Sequence, residues 1–403
     1  MLSRKWRTLL ILALAELMAM GLWFSASAVA PLLSRQWVLD DNGTALLTLS
    51  VQLGFVVGAF LSALLNLSDR LPTSRLFGLS AFAGALANAL IPVYAHDLTL
   101  AVPLRFLTGA CLAGVYPVGL KIMATWCQED RGLGLGLLVG ALTVGSATPH
   151  LLNALGGLSD WRPVLLLAST LAVLGGLLTL FCVNEGPLQI ATPPFNWKFV
   201  LRVWQERSLR LANFGYLGHM WELYAMWTWI PLFLTASFTA MHLNDAARWA
   251  STMSFAVIGI GGLGSLLAGI WADHWGRTRV SMVSLLLSGS CALLDGLAYD
   301  SSVWVITMLA LIWGIAVVAD SAQYSASISE LAPREYTGTA LTLQTSLGFL
   351  LTLVSIRLIP ALVTMVGWQW AFAALAIGPA FGIWAMFALL RSPEAVRLAN
   401  GRG

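Results

Sequence analysis

Charged residues are scarce in this chain. Asp, Glu, Lys and Arg make up 10% of its 403 residues, against about 25% in an average soluble domain. Hydrophobic residues make up 58%, and the mean hydropathy is +0.79. Such a chain cannot hide its apolar surface from water in one core, so it needs lipid as its solvent. The net charge of +3 gives no reason to expect a nucleic-acid partner.

Cysteine and the common catalytic motifs are also sparse or absent. The four cysteines lie within or at the ends of apolar runs and share no motif spacing, which predicts neither a disulfide framework nor a metal site. The sequence has no G-x-x-x-x-G-K-[ST], no H-E-x-x-H and no G-x-S-x-G. We therefore expect no cofactor, no direct use of ATP and no enzymatic activity. Intramembrane carboxylates would be the only acid–base pair available to an enzyme.

What the sequence has in abundance is long apolar runs. A run of about 20 residues, at about 1.5 Å per helical residue, crosses about 30 Å of hydrocarbon. Twelve runs of this kind predict an all-α membrane protein with twelve transmembrane helices. They lie near residues 8–30, 45–66, 76–95, 98–120, 132–156, 163–183, 211–236, 249–272, 280–299, 303–327, 338–365 and 369–390.

A polar linker divides these runs into two sets of six. The predicted organisation is a bundle over residues 1–183, a cytoplasmic linker over 184–210, and a second bundle with a short tail over 211–403. The linker carries a basic amphipathic piece from Trp197 to Arg210, which indicates a helix lying on anionic lipid headgroups.

Basic residues predict the direction of the chain in the membrane. With a cytoplasmic N-terminus, 17 of the 22 Lys and Arg residues fall on the cytoplasmic side and three on the other. The positive-inside rule then predicts a multi-pass inner-membrane protein with both termini in the cytoplasm. The alternative for the first run is a cleavable signal peptide ending near Ala30. Its length and the presence of Glu16 favour a permanent helix.

The two halves resemble each other. Residues 16–23 align with residues 222–229, with five of eight positions identical, at an offset of about 206 residues. Further matches follow in the same order, namely Asp69 with Asp273, Gly132 with Gly338, and Trp161 with Trp368. Two six-helix halves built from one unit enclose a site between them near the middle of the membrane.

Residues 269–277, Gly-Ile-Trp-Ala-Asp-His-Trp-Gly-Arg, resemble the loop motif of the major facilitator superfamily between the second and third helices of a half. His274 departs from the usual Arg. The first half keeps Asp69 and Arg70 but has Leu65 in place of the leading Gly. Residues 105–109 resemble the fourth-helix motif with its buried Arg. The resemblance implies two pseudo-symmetric six-helix bundles in a secondary transporter.

The same resemblance implies a role for the loop residues. In the family they pair with helix ends on the cytoplasmic face and favour the outward-facing state. This gating role would fall to Asp69, Arg70, Asp273, Gly276 and Arg277. The alternative is a solvated turn whose basic residues only anchor the topology.

Ionisable residues within the predicted spans are the strongest candidates for function, because a charge at the bilayer centre costs at least about 2.5–3.5 kcal/mol. Glu16 and Glu222 are repeat mates, and His219 lies three residues before Glu222 on the same helix face. We predict that His219 and Glu222 bind the coupling proton. The alternative is that Glu222 only hydrogen-bonds a helix end, with His219 as its partner.

Arg105 and Asp320 are the next candidates. Arg105 could hold an anionic substrate by a bidentate contact, or neutralise Glu16 or Asp320. Asp320, with nearby Gln323, could bind protons or substrate, or form a buried pair with Arg105.

Aromatic residues are concentrated in the seventh run, and lipid-facing packing accounts for at least half of them. Trp23, Tyr224 and Trp229 are the predicted cavity aromatics, which could stack on a ring or hold a cation.

The expected function is secondary active transport of a small organic solute, namely an organic anion, a zwitterion or an amphipathic compound. We expect a monomer in the lipid bilayer that couples transport to protons by alternating access. The alternatives are a multidrug or metabolite efflux proton antiporter and a non-transporting receptor on the same fold.

Overall fold

The structure is a computed structural model that describes residues 3–127, 130–156, 160–188, 195–333 and 335–403. Regular secondary structure in these residues is helical throughout. Twelve long helical segments follow one another in chain order. They are α1 Arg4–Ala28, α2 Asp41–Leu64, α3 Thr73–Tyr94, α4 Leu98–Ala124, α5 Arg131–Gly156, α6 Arg162–Cys182, α7 Arg207–Ala240, α8 Ala246–Trp275, α9 Arg277–Leu294, α10 Val303–Leu331, α11 Thr337–Val366 and α12 Trp368–Leu390.

Ten of these described helices are long and apolar enough to cross a membrane. The other two are α7 and α9, which occupy the predicted seventh and ninth positions. Both carry more polar side chains than their neighbours, including His219 and Glu222 in α7 and a row of serines in α9. Because α7 packs against α11 and α12, and α9 packs against α10 and α12, both belong to the same bundle. The predicted fold class is confirmed.

Two helices are interrupted near mid-length. α4 consists of Leu98–Leu112 and Tyr116–Ala124, and α10 consists of Val303–Ala319 and Ser321–Leu331. α12 contains a short 3₁₀ stretch, Phe372–Ala376. The break in α10 falls at Asp320, which caps both of its segments. Asp320 keeps a helical backbone conformation at this junction, with φ −88° and ψ −9°.

Outside the twelve, the described residues form a 3₁₀ helix, Pro393–Gly401, and three short α-helices: Ala30–Trp37, Leu67–Arg70 and Trp197–Gln205. The last forms part of the predicted linker, in which residues 189–194 lie outside the described residues. Its Trp197 and Leu201 are exposed, while Phe199 stacks on Tyr336 with ring centroids 4.9 Å apart. The division of the chain at 184–210 stays a prediction.

Helices from the two predicted halves meet along two seams. α5 lies along α8, and α2 contacts α11. We call the end of the bundle where α1 begins and α12 ends the termini face, and the opposite end the far face. The centre of the bundle therefore lies between these two seams.

Small residues bring α2 and α4 together. The α-carbon of Gly54 faces the backbone carbonyl of Phe106, and that of Gly109 faces the carbonyl of Val51. Because both contacts are with backbone atoms, no side-chain rotation could make room for a methyl group. Such small-residue contacts are how membrane helices approach closely.

We expect Gly54→Ala to lower the free energy of unfolding by about 1–3 kcal/mol, because the added methyl forces two backbones apart. The matched control is Gly156→Ala, where an added β-carbon meets no atom of the described residues within 4 Å. The measurement is the thermal midpoint of both variants in one detergent. Equal midpoints for the two variants would show that the α2–α4 contact is not tight.

Candidate functional site

An aromatic cluster fills the centre of the bundle. Trp23 of α1 lies 4.8 Å from Phe55 of α2, 5.7 Å from Tyr224 of α7 and 5.4 Å from Phe349 of α11, measured between ring centroids. Phe55 and Phe349 are 4.6 Å apart. All four side chains are buried. Helices from both predicted halves therefore contribute to one aromatic layer, which contains two of the three predicted cavity aromatics.

The remaining α7 aromatics also face protein. Trp229 is buried and donates a hydrogen bond of 2.8 Å to the carbonyl oxygen of Ile356 in α11. Tyr216 and Trp227 are buried, and the indole of Trp221 donates to the carbonyl of Ala374. The expectation that half of these rings pack against lipid is wrong, because α7 is enclosed by α8, α11 and α12. Trp229 is anchored outside the central layer.

His219 pairs with Asp320. Its Nδ1 lies 2.9 Å from Oδ1 of Asp320, and its Nε2 lies 2.8 Å from the Ser321 hydroxyl. The Tyr324 hydroxyl donates to the other Asp320 oxygen at 2.6 Å. Asp320, at the junction of the two α10 segments, therefore faces α7. The four side chains form a buried acid–base group between α7 and α10.

Glu222 has separate partners. The Ser288 hydroxyl of α9 donates to its Oε2 at 2.8 Å, and the Trp313 indole of α10 donates to its Oε1 at 2.7 Å. The predicted His219–Glu222 pair is therefore wrong as a contact, although both residues lie on α7 one turn apart. His219 and Glu222 therefore belong to two separate titratable groups in the interior of the second half.

Glu16, the repeat mate of Glu222, has a different environment. It is fully buried on α1, and its carboxyl lies against Gly119 of α4. Within the described residues, neither of its carboxyl oxygens has a hydrogen-bond partner. It lies two helical turns from Trp23 on the same face of α1.

Arg105 is held by the first half. Its guanidinium donates to the backbone carbonyls of Leu22, Trp23 and Leu47, and to the side chains of Ser25 and Asn88. These partners come from α1, α2 and α3. The predicted pairing of Arg105 with Glu16 or Asp320 is therefore wrong, because backbone carbonyls already occupy its donors. Arg105 ties four helices together.

The loop motif forms a cluster on the termini face. Arg277 lies 3.2 Å from Asp273 and 2.7 Å from Glu330, and also donates to Gln323 at 3.0 Å. Gln323 was predicted to act together with Asp320. It belongs instead to this cluster, one helical turn from Asp320. The Asp273 carboxyl lies against Gly132 in the first turn of α5, where the partial positive charge of a helix N-terminus favours an anion.

The last residues of the chain cover this cluster. The backbone N–H of Ala399 donates to Glu330 at 2.9 Å, and the Arg402 guanidinium donates to the Asp273 carbonyl. Gly276 has a φ of +104°, and the carbonyls of Arg402 and Gly403 pack against its α-carbon. A glycine is required at this position because the backbone has a positive φ and because no space remains for a β-carbon.

The first-half loop is simpler. Asp69 pairs with Lys121 of α4, whose ammonium also donates to the Ser68 carbonyl. Arg70 is exposed. The gating roles implied for these residues and for Asp273, Gly276 and Arg277 stay predictions.

Sequence reasoning did not identify several side chains that complete the site. Tyr324 follows Asp320 by four residues, a spacing that could have indicated their contact. Ser288, Trp313 and Glu330 gave no such signal. Gln52 and Gln344 are buried amides in α2 and α11, and within the described residues their side chains have no hydrogen-bond partner.

We expect Arg105→Lys to destabilise the protein by at least about 2 kcal/mol, because one ammonium cannot replace the guanidinium at five acceptors and orphaned carbonyls cost about 1–3 kcal/mol each. The thermal midpoint reports this loss, with Arg357→Lys, at an exposed position of α11, as the control. A normal midpoint with weakened solute binding would show instead that Arg105 holds the solute.

The sequence matches a known family along most of its length. A sequence model described as Major Facilitator Superfamily matches residues 12–262 and 214–403. An uncharacterized MFS-type transporter of Mycobacterium tuberculosis is 25% identical over 324 residues, 74% of this chain and 66% of the relative. An uncharacterized transporter of Saccharomyces cerevisiae is 23% identical over 241 residues, 58% of this chain and 35% of the relative. The chain thus spans less than two thirds of the length of these curated relatives.

Solved structures share the fold. The nucleoside transporter NupG superposes with a TM-score of 0.70 at 13% identity, over 95% of this chain and 100% of that one. A bacterial homologue of the human lysosomal transporter Spinster gives 0.68 at 16% identity, over 97% and 99%. With the loop motif, the twelve helices and the family match in agreement, the chain belongs to the Major Facilitator Superfamily.

Proposed function

We propose that the protein is a proton-coupled secondary active transporter that moves a small organic solute across the inner membrane by alternating access. The observation that carries this proposal is the pair of buried acid–base centres, His219–Asp320 and Glu222, beside the central aromatic layer. Both termini would lie in the cytoplasm, as the basic residues predict.

The acid–base centres suit proton coupling for a physical reason. A carboxylate is costly in the membrane interior unless protein groups compensate it, so its protonation changes which packing of the helices is favoured. Glu222 accepts hydrogen bonds from Ser288 of α9 and from Trp313 of α10. Protonation weakens both bonds and loosens α7 from its neighbours.

Alternating access would use the two seams between the predicted halves. Residues 1–183 and 211–403 would rock about the α5–α8 and α2–α11 contacts, joined by residues 184–210. Gly140 and Gly262 face each other across the α5–α8 seam, and small residues allow such backbones to slide. The Asp273–Arg277–Glu330 cluster would hold the termini face closed in one state.

The residues at the centre of the bundle limit the chemical class of solute that could bind there. Because the guanidinium of Arg105 already donates to backbone carbonyls, it is not available to bind an anionic substrate. The central layer offers aromatic faces, and Glu16 offers a carboxyl without a partner among the described residues. These groups favour an amphipathic solute that is neutral or positively charged. The same features support the alternative of a drug or metabolite efflux antiporter.

The first experiment is a thermal-shift screen of the purified protein against a metabolite and drug library. A solute at about 100 times its dissociation constant adds about 2.7 kcal/mol of apparent stability. Hits are then tested for flux into proteoliposomes with and without an imposed pH gradient. Flux that ignores the gradient would contradict proton coupling.

We expect Glu222→Gln to reduce gradient-driven flux at least about tenfold, because the amide cannot carry a proton. Exchange of solute between the two sides, which needs no net proton movement, should continue. Glu335→Gln is the control, since Glu335 is an exposed acid near the termini face. Loss of both activities would assign Glu222 to solute binding or structure.

A further inference from the structure

A buried polar stripe runs the full length of α9. Its members recur at helical spacing and so share one face of the helix. All of them are at most 6% exposed. From the termini face to the far face they are Arg277, Ser281, Ser284, Ser288, Cys291 and Asp295.

The termini-face half of the stripe contacts groups already described. Arg277 binds Glu330 and Gln323, and Gln323 precedes Tyr324 of the His219–Asp320 group. Further along, Ser288 donates to Glu222. The stripe therefore contacts the Arg277–Glu330 cluster at one end and Glu222 further along.

Asp295 ends the stripe near the far face. It is fully buried, and among the described residues neither of its carboxyl oxygens has a hydrogen-bond partner. An unpaired buried carboxyl is destabilising and calls for a functional explanation.

The titratable groups close to Asp295 in the sequence are Cys291, Tyr299 and Asp300, and α7 carries Glu222, which is bonded to Ser288 of α9. On α10, which packs against α9, the buried hydroxyl of Thr307 has no partner among the described residues. From α12, Gln369 approaches and donates to Asp300 at 3.0 Å. Asp295 is thus the acid between the far-face solution and Glu222.

We propose that the α9 stripe is a proton route through the second half of the protein, with Asp295 as its entry from the far face. Asp295 takes a proton from water and passes it along Cys291 and Ser288 to Glu222. From there it reaches the His219–Asp320 group and leaves near Glu330. This inference rests on the proton coupling proposed above.

Each step conserves atoms and charge. A hydroxyl or thiol on the route accepts one proton and releases the one it held, so the net result is one proton moved and nothing oxidised or reduced. Ser288 and Asp295 are separated by about 10.5 Å along the helix, a gap that Cys291 and intervening water would bridge. The proton would bypass the aromatic layer, leaving that layer for the solute.

The test follows protonation of Glu222 directly, without any solute. Full-length protein is placed in liposomes with its far face outward, an orientation checked by protection of the first residues from protease. The external pH is lowered abruptly, and infrared difference spectra record the carbonyl band of protonated carboxyl groups. Glu222→Gln identifies the Glu222 component of that band.

We expect Asp295→Asn to slow protonation of Glu222 at least about tenfold, because the variant loses a positioned proton carrier. Asp295→Glu should restore the rate. Asp300→Asn, an exposed acid at the same end of α9, should leave it unchanged. Cys291→Val, which interrupts the route, should slow it even if Asp295→Asn does not fold. An unchanged rate in either Asp295→Asn or Cys291→Val would overturn the route.

This result is separable from the proposed function. Wild-type flux that ignores a pH gradient would defeat proton coupling, whatever the spectra show. Gradient-driven flux with an unchanged Glu222 protonation rate in Asp295→Asn would defeat only the route.

Discussion

Between the helices of a membrane protein there is almost no water, and each polar group has to find its partner in the protein itself. Arg105 shows how strongly this constraint acts. Its guanidinium is surrounded by carbonyl oxygens of α1 and α2 and by two polar side chains. The result is a rigid junction of four helices, and the charge serves the fold before it can serve a solute.

In the second half, the buried polar groups find their partners within the protein in a different way. There the interior carries His219, Asp320, Tyr324 and Glu222, whose hydrogen-bond partners are side chains. A junction made of backbone carbonyls keeps its partners whatever the pH, whereas the hydrogen bonds of a carboxyl change when it is protonated. The two halves share a sequence pattern at Glu16 and Glu222, yet the polar groups around these residues are satisfied in different ways.

The sequence was a good guide to the helices because apolar runs and basic loops act locally. Every predicted span corresponds to an observed helix, with ends shifted by a few residues. It was a poorer guide to the site. The partners of Arg105 are mainly backbone atoms, which no residue type marks, and the approach of Asp320 to His219 joins two helices that lie far apart in the sequence.

The internal repeat predicted where the two interior carboxyls lie but not which groups surround them. It located Glu16 and Glu222 correctly as interior carboxyls on equivalent helices. Their partners differ, because Ser288 and Trp313 contact Glu222 while Gly119 lies at Glu16. Symmetry of the backbone survives divergence of the side chains that surround it.

The contact between the end of the chain and Gly276 has a practical side. The carbonyl of Gly403 accepts a hydrogen bond from the N–H of Thr278 in the first turn of α9, at the edge of the cluster that joins α8 to α10. Any residue attached after Gly403, such as the start of an affinity tag, would begin from this packed position. A tag that pulled Gly403 away would remove the hydrogen bond to Thr278 and disturb the turn between α8 and α9.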